Sequence, residues 1–227
     1  MKLLTLLTAC VVLAPLPSAA QVIPDLAGAG TASRSMKTLM DLKFTQMIKQ
    51  KYDFSCGAAA LASLLTYHYG RAVSEDEVLK AMYEEGDQEK IKKVGFSLLD
   101  MKQYLASLGM AAEGYRTPLD KLSKVKIPAM ALINNKGYMH FVVIKGLLGD
   151  RVLLGDPSSG TRTVDREEFE KSWNGILFVI NSDMDIGRRS FNVAQEWKGH
   201  HPSADSTQIG TSLNNFTIDS SITPNYF

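Results

Sequence analysis

Cysteine is nearly absent: the 227-residue chain has two, too few for a disulfide-stapled scaffold or a four-cysteine zinc site. No charge of one sign dominates. Lys+Arg number 25 against 24 Asp+Glu, a formal net charge of +1, and there is no Lys/Arg-rich run. This argues against a nucleic-acid partner held by phosphate neutralisation. Outside the N-terminus, no apolar stretch approaches the roughly 20 residues that a membrane span needs. What is present is ordinary: 45% hydrophobic, 8% aromatic and 22% charged residues, enough to bury a core at this length.

Residues 1–20, MKLLTLLTACVVLAPLPSAA, carry one Lys, an apolar run, Pro15 and Pro17, and small residues at the end. This is the layout of a signal peptide cleaved after Ala20, so the mature chain is expected in the periplasm. The prolines interrupt the run and disfavour an uncleaved anchor. Leu7-Thr-Ala-Cys10 resembles a lipoprotein box, and lipidation at Cys10 ranks second because the apolar run continues past it. Cleavage leaves Cys56 as the single cysteine, either a small buried hydrophobe or a reactive thiol.

Residues 21–44 read as a linker or N-terminal extension, small and polar at first. Met36, Leu39, Met40, Phe44, Met47 and Ile48 then recur at a spacing compatible with a short helix. Residues 56–70 predict a helix that Ser55 caps and Gly70 ends; its Gly and Ala turns let other backbone approach, so it is expected at the domain centre. Ser74-Glu-Asp-Glu77 is a capping box opening a second helix through Tyr83. A third is expected from Ser97, with Asp100 three residues on, to Gly109. Segments 110–116, 127–133, 138–145, 151–156, 161–164 and 175–180 then read as short strands, with a helix over 166–173. Helices followed by an antiparallel sheet predict an α+β domain over 45–184. Residues 185–227 read as a polar C-terminal extension; 199–227 contain no Lys or Arg.

A thiol in the first turn of a helix meets unpaired N–H groups and the positive end of the helix dipole, which favour thiolate. A nucleophilic thiolate calls for a histidine, and that histidine for a group to orient it. His68 lies about 18 Å along the same helix and is excluded as the partner. His200 and His201 fall in the polar extension, with no cluster to make them a metal site. His140 lies near the start of an apolar strand, where a polar ring needs a partner. If residues 147–150 form the next loop, Gly146 pairs with Arg151 and Asp156 faces Phe141, one step from His140; a longer or bulged loop brings it closer. Asp156 is therefore the candidate orienting acid. Asp150, at the loop tip, is too far. Gln50, six residues before Cys56, is a candidate second donor to an oxyanion beside the Cys56 N–H.

The run Gln50-Lys-Tyr-Asp-Phe-Ser-Cys56-Gly-Ala-Ala59 resembles the Q-x5-C-G-x-A signature of the bacteriocin-processing peptidases, cysteine peptidase family 39. His140-Phe-Val-Val is similar to that family's histidine strand, and Asp156-Pro157 to its aspartate. The resemblance covers about 45–180. It implies a papain-like fold in which Cys56 is nucleophile, His140 general base and acid, Asp156 the orienting acid and Gln50 an oxyanion-hole donor, with no metal or organic cofactor. It also implies a polypeptide substrate. Typical members are domains of ABC exporters, but this chain has neither exporter spans nor a P-loop. It more closely resembles the stand-alone secreted relatives, including one encoded with bacterial functional-amyloid secretion systems. The expected partners are thus an exported or amyloid-forming protein and an outer-membrane secretion component. Two rival readings are a non-catalytic, peptidase-like chaperone or adaptor and a cell-wall peptide hydrolase.

Overall fold

A computed structural model describes residues 39–198. The expected signal peptide, Cys10, most of the N-terminal extension, and His200 and His201 lie outside the described residues. Of the expected helix around Met36–Ile48, the described residues form α1 (Leu39–Lys43), followed by turns.

Helices come first. α2 (Cys56–Ser63) is buried along its whole length because its Gly-Ala surface lets neighbours approach from every side. It continues as a π-helical turn over Leu64–His68 before Gly70 reverses the chain at φ +67°. α3 (Glu75–Glu85) and α5 (Leu98–Ser107) open on complete capping boxes, Ser74 with Glu77 and Ser97 with Asp100. Between them lies α4 (Gln88–Val94), capped by Asp87; the sequence reading missed it because a single Ile91 is its buried residue.

Six strands follow: β1 (Ala112–Arg116), β2 (Ala129–Asn135), β3 (Tyr138–Leu148), β4 (Arg151–Asp156), β5 (Gly160–Asp165) and β6 (Trp173–Ile180). They form one antiparallel sheet in the order β1-β6-β2-β3-β4-β5. α6 (Asp120–Val125) and α7 (Arg166–Ser172) interrupt the series. The fold is α+β and papain-like.

The sheet is buried on both faces. Phe141, Val143, Phe178 and Ile180 pack with α2, α3 and α5, while Val142, Ile144, Leu177 and Val179 pack with Leu122 of α6 and Phe169 of α7. Burial on both sides explains why β3 and β6 read as apolar runs rather than alternating ones. The described part of the expected polar extension is structured: α8 (Met184–Arg189) and α9 (Ala194–Lys198) follow β6, and Phe191 and Trp197 are buried.

Candidate active site

Cys56 is the first residue of α2 and is 5% exposed. Ser55 occupies the cap position, but its side chain caps nothing, contrary to the sequence reading. Its hydroxyl lies 2.5 Å from Glu75 Oε1 and 2.9 Å from the Tyr52 carbonyl. The same buried carboxylate accepts from the Lys51 N–H at 3.0 Å. Glu75 therefore braces the turn that leads into Cys56, and that spares the first N–H groups of α2. Burial opposes ionisation of the Cys56 thiol. Hydrogen bonds from His140 and from the Phe141 and Gly57 backbone outweigh it, so the thiol titrates below its ordinary range.

His140 lies on β3 and reaches Asp156, the last residue of β4, through Nε2 at 2.8 Å from Oδ1. The ring's other nitrogen is thereby left for Cys56, with which His140 also hydrogen-bonds. Burial lowers the basicity of the imidazole, yet the bonds to Asp156 and Cys56 and their charges raise its pKa to about 9. Asp156 is likewise resisted by burial but is held well below the usual carboxylate range by His140 and Ser158.

The register that brings the two together differs from the one read from sequence. The β3–β4 loop is shorter than expected, Leu148 pairing with Arg151. A bulge between Ile144 and Gly146 then shifts the ladder by one, so that Ile144 faces Leu154 and Val143 faces Gly155. Asp156 thus comes opposite Val142, not Phe141. Because side chains alternate between faces, a one-residue slip would have turned Asp156 away from His140; the bulge puts them on the same side.

Asp156 is saturated. Its Oδ1 also accepts from the Ser158 N–H at 2.9 Å, the Ser158 hydroxyl at 2.7 Å and the Ser159 N–H at 3.3 Å. Its Oδ2 accepts from Arg162 at 3.3 Å. Gln50 is stitched to the same turn, its N–H donating to the Pro157 carbonyl at 3.0 Å. The Gln50 side chain donates from Nε2 to the Tyr52 carbonyl at 2.9 Å, while Oε1 is buried without a protein partner. Cys56, His140 and Asp156 therefore form one contact line, with Gln50 beside its acid end.

Sequence reasoning missed three groups: Glu75, the Phe141 N–H and Tyr138. The Tyr138 hydroxyl donates to the Asp53 carbonyl and lies within hydrogen-bond reach of Cys56. Its position directly after the Lys136-Gly137 turn was the available signal. Both walls of an apolar cleft of about 890 Å³ meet there, lined by Phe54, Cys56, Leu98, Tyr138 and Phe141 among others. His68, excluded as the partner of Cys56, is buried and bonded through Nδ1 to Ser190 at 2.9 Å. Burial and the nearby Lys145 charge depress its pKa to about 3. Among the described residues no cluster of His, Cys, Asp and Glu is arranged to hold a metal ion.

The fold and this site define a class. The model of the Peptidase C39 family matches residues 45–185, and the chain belongs to that family of cysteine peptidases. Among curated relatives, it is 42% identical over 157 residues to the "Probable functional amyloid protease FapD" of Pseudomonas aeruginosa, covering 69% of this chain and 70% of the relative. It is 41% identical over 158 residues to the protein of the same description from Pseudomonas fluorescens, covering 70% of each. A solved structure, the peptidase domain of Streptococcus ComA, described as a bi-functional ABC transporter involved in a quorum-sensing pathway, superposes with a TM-score of 0.52 at 20% identity. That match covers 60% of this chain and 96% of the domain and speaks to fold alone.

Proposed function

We propose that this chain is a periplasmic cysteine endopeptidase that cleaves an exported polypeptide of a functional-amyloid secretion system. The observation that carries the chemistry is the contact line Cys56–His140–Asp156. The description of the two Pseudomonas relatives as probable functional amyloid proteases supports the client class, and the layout of residues 1–20 supports the compartment.

The site favours a proton on His140 and a thiolate on Cys56, since the thiol titrates below its ordinary range and the imidazole above its own. The thiolate attacks the scissile carbonyl carbon, and the carbonyl electron pair moves onto oxygen. The Cys56 N–H at the head of α2 stabilises that oxyanion, and the family resemblance adds the side-chain amide of Gln50, which has one amide hydrogen left after its bond to the Tyr52 carbonyl. Collapse breaks the C–N bond, and His140 gives its proton to the leaving amine. Neutral His140 then takes a proton from water, whose hydroxide attacks the thioester. The acid product leaves, and the thiolate–imidazolium pair returns. Asp156 keeps the ring oriented throughout and favours its charged form.

The test compares periplasmic and secreted proteins of wild-type cells with those of cells carrying Cys56→Ala. The expected result is a client that persists at full length only in the variant, together with loss of peptidase activity from the purified, folded variant. Full activity of that variant would overturn the assignment. Cysteine-independent retention of a client would favour the adaptor, and muropeptides released from peptidoglycan would favour the cell-wall hydrolase.

A further inference from the structure

The bulge in β3 that sets the His140–Asp156 register is gripped from outside the family domain. Lys145 is the extra residue, lying between the Ile144↔Leu154 and Gly146↔Leu153 pairs. Its carbonyl accepts from the Asn192 N–H at 3.0 Å. The Asn192 side chain closes on the next residue but one, Oδ1 accepting from the Leu147 N–H at 2.7 Å and Nδ2 donating to the Leu147 carbonyl at 3.0 Å. The Lys145 ammonium, 1% exposed, is paired with Glu196 of α9 and donates to the Gln46 carbonyl at 3.2 Å. Gly146 lets this grip approach: a Cβ there would stand 2.2 Å from Asn192 Oδ1 and 3.1 Å from the Trp197 ring.

We propose that Asn192 and Glu196 are positioning residues for the active site: by holding the Lys145 bulge, the segment beyond residue 185 keeps Asp156 in register with His140. A bulged strand leaves one residue without a ladder partner, and a buried lysine must find a counter-charge. Asn192 supplies the first and Glu196 the second. From the bulge, the ladder runs through Ile144↔Leu154 and Val143↔Gly155 directly to Asp156, so a slip at Lys145 is passed on undiminished. The inference rests on the proposed triad for its catalytic meaning, while the His140–Asp156 contact it controls can be measured without turnover.

Burial, Asp156 on β4 and Cys56 on α2 set the His140 charge; Tyr138, on the same strand, faces the ring, and Arg162 on β5 stands behind Asp156. Asn192 and Glu196 act on neither the ring nor its partners directly. Loss of stability alone therefore leaves the His140 titration in place, whereas loss of register moves it. The experiment follows the His140 ring by NMR through a pH titration in the full chain, in wild type, Asn192→Ala and Glu196→Gln. Because Glu196→Gln leaves Lys145 without its counter-charge, a Lys145→Met/Glu196→Leu pair serves as a packed, uncharged companion. Leu119→Ala, a buried core residue at the start of α6 that touches neither the Lys145 grip nor His140 by any hydrogen bond, is the control for plain destabilisation.

The expected result is a His140 pKa lowered by about one unit or more, towards the ordinary value of about 6.5, in Asn192→Ala and in the Lys145/Glu196 variants, and unmoved in Leu119→Ala. A peptidase assay run in parallel should fall with it. Variants that lose stability but keep the wild-type His140 titration would overturn the positioning role. If His140 shifts while wild type itself cleaves nothing, the register control stands and the peptidase reading fails.

Discussion

His140 Nε2 stands 2.8 Å from Asp156 Oδ1, although the two residues are not direct partners across β3 and β4. They meet diagonally, at the end of a ladder whose register changes at Lys145. The ionisation of both, and through them of Cys56, depends on that offset.

The first consequence is a pH window. A thiolate–imidazolium pair exists between the lowered Cys56 pKa and the His140 value of about 9. Alkylation of Cys56 by iodoacetamide should already be fast well below the ordinary thiol value of about 8.5, and kcat/KM should fall on an alkaline limb near 9. An alkaline limb near 6.5 would show that His140 is not held by Asp156. The same shift has a stability sign. His140 is raised from 6.5, so its contribution is complete below about 6.5 and is lost as pH rises through about 9. The urea midpoint of wild type relative to His140→Ala should decline across that interval.

Asp156→Asn removes the charge and keeps the shape. The imidazolium loses its counter-ion, and the alkaline limb should move down by more than about one unit. kcat should drop at least about tenfold, with a smaller change in KM, because the interaction strengthens as charge develops on the ring. Steady-state kinetics across pH check both.

Glu75→Ala strands the Lys51 N–H inside the turn before Cys56 and leaves the Ser55 hydroxyl with the Tyr52 carbonyl as its one acceptor. Leaving buried polar groups unpaired costs about 1–3 kcal/mol, read as a lower urea midpoint. Because that turn joins Gln50 to Cys56, kcat/KM should fall as well, and Glu75→Gln should recover part of both.

Gly160→Ala tests the turn behind Asp156. Gly160 pairs with Asp156, has φ +85°, and a Cβ there would meet the Lys43 carbonyl oxygen at 2.8 Å. The left-handed backbone and the clash with main chain together should cost about 2–4 kcal/mol, measurable by thermal or urea unfolding. A neutral effect would mean that α1 can move away from β5 freely.

Much of the fold was legible in local chemistry. Ser74 with Glu77 and Ser97 with Asp100 announced two helices because a capping box is satisfied within four residues. The strand at 151–156 matched to the residue, since Gly149 and Asp150 mark its start and Pro157 its end. Ser55 misled for an instructive reason. A serine before a helix is a local signal, but its hydroxyl found Glu75, twenty residues away. Likewise, α9 and the buried Lys145 were illegible, because a charged residue reads as surface until its partner is known.

The amino-acid sequence by itself determined which groups the protein carries and where α3, α5 and the strands fall, because caps, turns and hydrophobic periodicity act over a few residues. It also placed Cys56, His140, Asp156 and Gln50 at recognisable positions. The tertiary structure alone decided whether His140 and Asp156 would share a face. One bulged residue reverses that outcome, and the bulge is held by contacts from Asn192 and Glu196, far along the chain, that no local pattern records.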